Sequence, residues 1–173
     1  MLGYIVAGAG GVADRCLADL ARRLDTAGLP FAGAIQINTA RADGQPDDMD
    51  LRIIGTGRLI RISQSLGRGS EGCRLNAAAL EDAAGLVGAT LDTGAPRVLL
   101  LNRFGRQEAE GRGFRPLIGR ALGEGVAVLI AVGADYLDAF EAFAGGIEQR
   151  MPADPEALFD WCREATGAPV SPE

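Results

Sequence analysis

Apolar residues fall in short unbroken runs separated by polar, glycine-rich stretches. The runs Leu2–Ala7, 97–101 (RVLLL) and 126–132 (VAVLIAV) show no alternation, which predicts strands buried on both faces. Residues 31–37 read as another strand. Between residues 13 and 27, Cys16, Leu17, Leu20, Ala21 and Leu24 recur at helical spacing opposite Asp19, Arg22, Arg23 and Asp25, and Gly28 is placed to stop that helix. Residues 49–54 and 58–63 alternate on either side of Gly55, Thr56 and Gly57, the pattern of a β-hairpin. Asn76 is a candidate N-cap for a helix ending near Leu91. Shorter helices are expected over 114–122, 136–143 and 155–165. Residues 38–48, 64–75 and 102–113 read as loops.

Helices alternating with apolar strands imply an α/β fold with three layers, a mainly parallel sheet and one β-hairpin. In such sheets ligands bind in the crevice at the carboxyl ends of the strands. The loops after Ala7, around 64–74 and after Leu101 are expected to meet there.

The chain of 173 residues suits a single domain, 1–173, with fraying expected from Gly167 onward. Its net charge of −6 argues against nucleic acid and anionic membranes as partners. The apolar start lacks a basic leader and is too short to cross a bilayer, so a cytoplasmic protein is expected. Cys16, Cys73 and Cys162 are widely spaced and odd in number, indicating reduced thiols and no zinc ribbon. Cys73 adjoins Arg74, but packing or loop anchoring suits it better than a nucleophilic role. There are 0 histidines, which removes the commonest metal ligand and general base. No protein metal site is expected.

The first glycine-rich turn invites comparison with the phosphate loop G-x-x-x-x-G-K-[ST] between a strand and a helix. At that spacing stand Gly8, Ala9, Gly10, Gly11, Val12, Ala13, Asp14 and Arg15. The first glycine and the strand–loop–helix context are present. Ala13 replaces the second glycine, Asp14 the lysine, and Arg15 the hydroxyl residue. Asp for Lys moves the local charge by about two units where phosphates would sit, and Arg15 restores one positive charge.

Basic residues concentrate in the other two loops: Arg68, Arg74, Arg103, Arg106, Arg112 and Arg115. Guanidinium forks suit phosphates and other tetrahedral oxyanions, and glycines let the backbone approach a ligand closely. Pairing with Glu71, Glu108 or Glu110 is the competing use for each of them. The expected ligand residues are Gly8, Gly10, Gly11, Arg15, Gln64, Arg68, Arg74, Asn102, Arg103 and Arg112. Gln36, near a strand end, is placed to read a ligand's polar edge.

Residues 6–33, the hairpin with its Thr56-Gly57 centre, and the stretch LLLNRFGRQEAEGRGFRPLI resemble the small phosphate-loop nucleoside-triphosphatases that have thermophile members. The segments QSLGRGSEGCRL and NRFGRQEAEGRGFR are similar to the two signature segments of a bacterial family, domain of unknown function 2478. The resemblance implies a phosphate-loop NTPase-like fold, with magnesium as a cofactor only if it arrives with a nucleotide. It also puts Asn102 where that pattern carries a magnesium-holding carboxylate, and Glu108 where it carries a later glutamate, the candidate catalytic acid. Some relatives are encoded near molybdate uptake.

Three functions follow as expectations. The first is a degenerate NTPase-like domain that binds a nucleotide or another small phosphate-type anion with little or no hydrolysis, and so is not an enzyme. The second is an oxyanion-binding protein for molybdate or tungstate. The third is an NTP hydrolase with a reorganised metal site. A homo-oligomer is compatible with all three.

Overall fold

The computed structural model describes residues 1–42, 44–65 and 74–167. Seven strands form one sheet: β1 (Leu2–Ala7), β2 (Phe31–Thr39), β3 (Asp48–Ile53), β4 (Leu59–Arg61), β5 (Val98–Phe104), β6 (Ala127–Gly133) and β7 (Glu148–Arg150). Their order is β4-β3-β2-β5-β6-β1-β7. The pairs β1–β6, β1–β7, β2–β5 and β5–β6 are parallel, while β3 and β4 add antiparallel at the β2 edge.

The unalternating strands are those with helices on both sides. Leu99, Leu101, Val128 and Ile130 face one core; Val98, Leu100, Leu129 and Ala131 face the other. On the second face lie α1 (Val12–Thr26) and α6 (Pro155–Thr166). Helix α1 buries Cys16, Leu17, Leu20, Ala21 and Leu24 as its spacing predicts, against Leu158, Trp161 and Cys162 of α6. On the first face lie α2 (Ala77–Gly94), α4 (Arg115–Gly123) and α5 (Leu137–Ala144), contributing Leu80, Val87, Ile118 and Phe140. Asn76 caps α2, its side chain accepting the Ala79 N–H at 3.1 Å.

Four elements depart from the sequence expectation. Strand β2 continues through Asn38 and Thr39, because Asn38 and Thr39 pair with Met49 and Asp48 of β3. Strand β5 continues to Phe104 through an irregularity between Asn102 and Phe104, and the Asn102–Arg103 peptide is cis. A four-residue helix, α3 (Arg106–Ala109), sits inside the stretch expected to be a loop. Strand β7 lacks an apolar pattern because it is an edge strand held by backbone pairing to β1.

Candidate functional site

The carboxyl ends of β1, β2 and β5 carry the site. After β1, Gly8 is extended, and Gly10 and Gly11 are both left-handed, with φ of 83° and 65°. This turn needs glycine at those two positions. A Cβ on Gly8 or Gly10 would meet nothing within 4 Å, so the backbone lies open to the cleft. Helix α1 starts at Val12 with no side chain capping its first turn. Arg15 folds back so that its guanidinium donates to the Gly10 carbonyl at 2.8 Å.

Asp14, at the lysine position, points inward and is buried. One carboxylate oxygen accepts from the Asn38 amide at 2.6 Å. The other accepts from the Asn102 amide at 2.9 Å and lies 3.4 Å from an Arg103 guanidinium nitrogen. Gln36 donates to the Asn38 Oδ1 at 2.8 Å, extending the network along β2. Three side chains from two strands, β2 and β5, therefore converge on one carboxylate. Asn38 is the member that sequence reasoning missed; its only signal was a polar residue closing a buried strand.

Two adjoining hollows flank this network, of about 320 Å³ and about 620 Å³. Both touch Gly11, Asp14, Gln36, Asn38 and Asp47; the first also reaches Gly8, Arg74 and Arg103, the second Gly10 and Arg15. Arg74 donates to the carbonyls of Pro46 and Asp47 at 3.1 and 3.2 Å. Among the described residues no carboxylate pairs with Arg15 or Arg74. The structure thus brings together Gly8, Gly10, Gly11, Arg15, Arg74, Asn102 and Arg103.

Other expected residues lie elsewhere. Gln64 bridges toward the start of α2, its side chain donating to the Leu75 carbonyl at 3.3 Å. Arg112 binds Gln107 at 2.9 Å and also pairs with Glu110, which Arg106 contacts as well. Arg68 and Cys73 lie outside the described residues. Cys16 and Cys162 are buried thiols, pushed up to about 11 and about 12, chiefly by burial.

Glu108 is not a surface acid; it is 2% exposed. Its two oxygens accept the Gly105 and Phe114 backbone N–H groups at 2.9 and 3.0 Å, which staples the start of α3 to the start of α4. Burial raises its pKa above the ordinary 4.5, against the opposing pull of those N–H groups, with nearby Glu81 adding to the rise. An acid with a raised folded pKa keeps its proton in the folded chain at pH values where the unfolded chain has lost it. Its contribution to stability therefore falls as pH rises from about 4.5. In urea melts, the stability of wild type relative to Glu108→Gln should decline between pH 4.5 and pH 7; a rising difference would refute the dominance of burial.

The site does not fit a magnesium ion held in the usual phosphate-loop way. That ion needs hard oxygen ligands. Arg15 stands at the hydroxyl position, Asn102 at the strand-end carboxylate position, and the Asp14 oxygens already face amide and guanidinium donors. Among the described residues no group of three or more Cys, Asp or Glu side chains is placed to hold a metal. Nor is any described helix long and apolar enough to cross a membrane.

Sheet order, flanking helices and the loop between β1 and α1 define an α/β fold of the phosphate-loop NTPase type. It matches the crystal structure of THEP1 from the hyperthermophile Aquifex aeolicus with a TM-score of 0.62, over 94% of this chain and 95% of that one, at 10% sequence identity. The chain belongs to the family described as protein of unknown function DUF2478, whose model matches residues 2–161. It is also similar to a molybdenum import ATP-binding protein, ModC 2, of Bradyrhizobium diazoefficiens, at 34% identity over 153 residues. That match takes in 88% of this chain but only 17% of the relative.

Proposed function

We propose that this chain binds a phosphate-type anion, a nucleotide foremost, over the Gly8–Gly11 turn and does not hydrolyse it. The observation that carries this reading is the inverted charge layout of the cleft. The lysine position is a buried carboxylate tied down by Asn38, Asn102 and Arg103, while Arg15 and Arg74 meet only backbone carbonyls among the described residues. Guanidinium groups and open backbone N–H groups bind an anion without lysine or magnesium. Chemistry is another matter. Phosphoryl transfer relies on a lysine, a metal and a positioned water, and none of the residues holding those places here can supply them. Glu108 spends both oxygens on backbone N–H groups.

Calorimetry with ATP, ADP and inorganic phosphate, with and without magnesium, tests the reading. Binding is expected without magnesium and should weaken about tenfold or more in Arg74→Ala and in Arg103→Ala, the scale of losing a hydrogen bond to a charged group. Phosphate release should stay at background. No binding of any of these anions sinks the proposal. Turnover at ordinary enzyme rates, on the order of 1 s⁻¹ or faster, abolished by Glu108→Gln, would replace it with a hydrolase.

A second reading, an oxyanion receptor for molybdate or tungstate, is favoured by one observation: the similarity to part of a relative named for molybdenum import. Because the chain spans about a sixth of that relative, import and ATP binding belong to the whole of it. A thermal shift with molybdate or tungstate, and none with sulfate or phosphate, would select this reading.

A further inference from the structure

Behind the cleft lies a separate chamber of about 210 Å³. Met49, Ile62, Leu75 and Leu80 form its apolar side, and Asn102, Arg106 and Glu108 lie on its polar side. Gln36, Met49 and Arg103 line both this chamber and the hollow beside the glycine turn, so they form the threshold between the two. Asn102 is 1% exposed, and its Oδ1 has no hydrogen-bond partner among the described residues. The amide cannot be turned round to cure this. Its other atom faces the Asp14 carboxylate at 2.9 Å, which accepts and does not donate. Asp14 lines the cleft and not the chamber. The Glu108 oxygens already accept backbone N–H groups and Arg106 pairs with Glu110, so the Asn102 Oδ1 is the acceptor on this polar side left without a donor among the described residues. A buried acceptor without a donor is costly, and proteins rarely leave one so.

We propose that this chamber is the second half of the ligand site, and that it takes the uncharged ring of a nucleoside monophosphate. The ring supplies an N–H donor to the Asn102 Oδ1 and apolar faces to Ile62, Leu75 and Leu80. The phosphate passes the Arg103 threshold to the glycine turn. Volume supports a ring: an engineered apolar cavity of about 150 Å³ admits benzene, and this chamber is larger. This inference rests on the anion-binding reading and adds the identity of the ligand's other end.

The test is calorimetry of the full chain with inorganic phosphate, ribose 5-phosphate, the monophosphates of adenosine, guanosine, cytidine and uridine, and purine riboside 5′-monophosphate, whose base lacks an N–H. At least one of the four nucleotides should bind about tenfold or more tightly than phosphate, ribose 5-phosphate and the donor-less analogue. Leu75→Trp and Ile62→Phe fill the chamber from two different elements. Each should erase that preference while phosphate binding changes less than about twofold, with thermal melts confirming that at least one variant folds. Phosphate binding without any nucleotide preference overturns the chamber alone. A preference that survives both fillings, or equal binding of the donor-less analogue, overturns it as well. Silence from every probe overturns the anion reading together with it.

Discussion

Gly33→Ala is expected to leave little folded protein. Gly33 lies in β2 at φ +139°, opposite Leu100 of β5, and a Cβ there would stand 1.8 Å from the Leu100 carbonyl oxygen and 2.7 Å from its carbon. The obstacle is backbone in a central parallel pair, so no side chain can move aside. The change combines a disfavoured φ with a clash that forces β2 and β5 apart, and a loss beyond about 4 kcal/mol is expected. Soluble yield and a urea melt give the answer. Gly85→Ala is the matched control. That glycine is exposed on α2 and an added Cβ meets nothing within 4 Å. Removing a glycine from a helix interior should hold stability or raise it by about 0.5–1 kcal/mol. Equal behaviour of the two variants would show that β2 and β5 do not approach as described.

Asp14→Lys, which writes the phosphate-loop lysine back into the sequence, is expected to destabilise the protein without creating a hydrolase. The ammonium would replace the acceptor on which Asn38, Asn102 and Arg103 converge. Two amide donors would lose their partner, and a second cation would be pressed against Arg103. Breaking a buried charged contact from one side costs about 3–5 kcal/mol. Phosphate release should remain at background, because Arg15 and Asn102 still occupy the metal positions. Asp14→Asn, which keeps the shape and part of the hydrogen bonding, should lose less. A stable Asp14→Lys variant that turns over ATP would mean that the carboxylate is a simple loss and not the centre of a rebuilt site.

Much of the scaffold was legible in the residues. Leu2–Ala7 and RVLLL read as buried strands because flanking helices cover both faces, and α1 declared itself through Cys16, Leu17, Leu20 and Leu24. The hairpin followed from its turn residues. The failures have physical causes. Strand β7 is held through backbone groups, and Glu148, Gln149 and Arg150 carry no apolar signal. Helix α3 spans only four residues and owes its start to a glutamate whose oxygens bind the backbone, a contact that spacing does not encode. In the site, Asp14 was visible as an anomaly but not as a hub. Its partners lie 24, 88 and 89 residues away along the chain, and amide side chains give no pattern that marks such convergence. The arginines were conspicuous in sequence, yet among the described residues Arg15, Arg74 and Arg103 line the cleft while others do not. Arg112 found its own neighbours instead.

The two rims of the sheet, β4 and β7, are each three residues long and carry Arg61 on one side and Glu148 and Arg150 on the other. Short charged rims are poor templates for a stray strand from another molecule. The sheet therefore has little tendency to grow sideways by recruiting neighbours, even though its interior strands are as apolar as those of many aggregating segments.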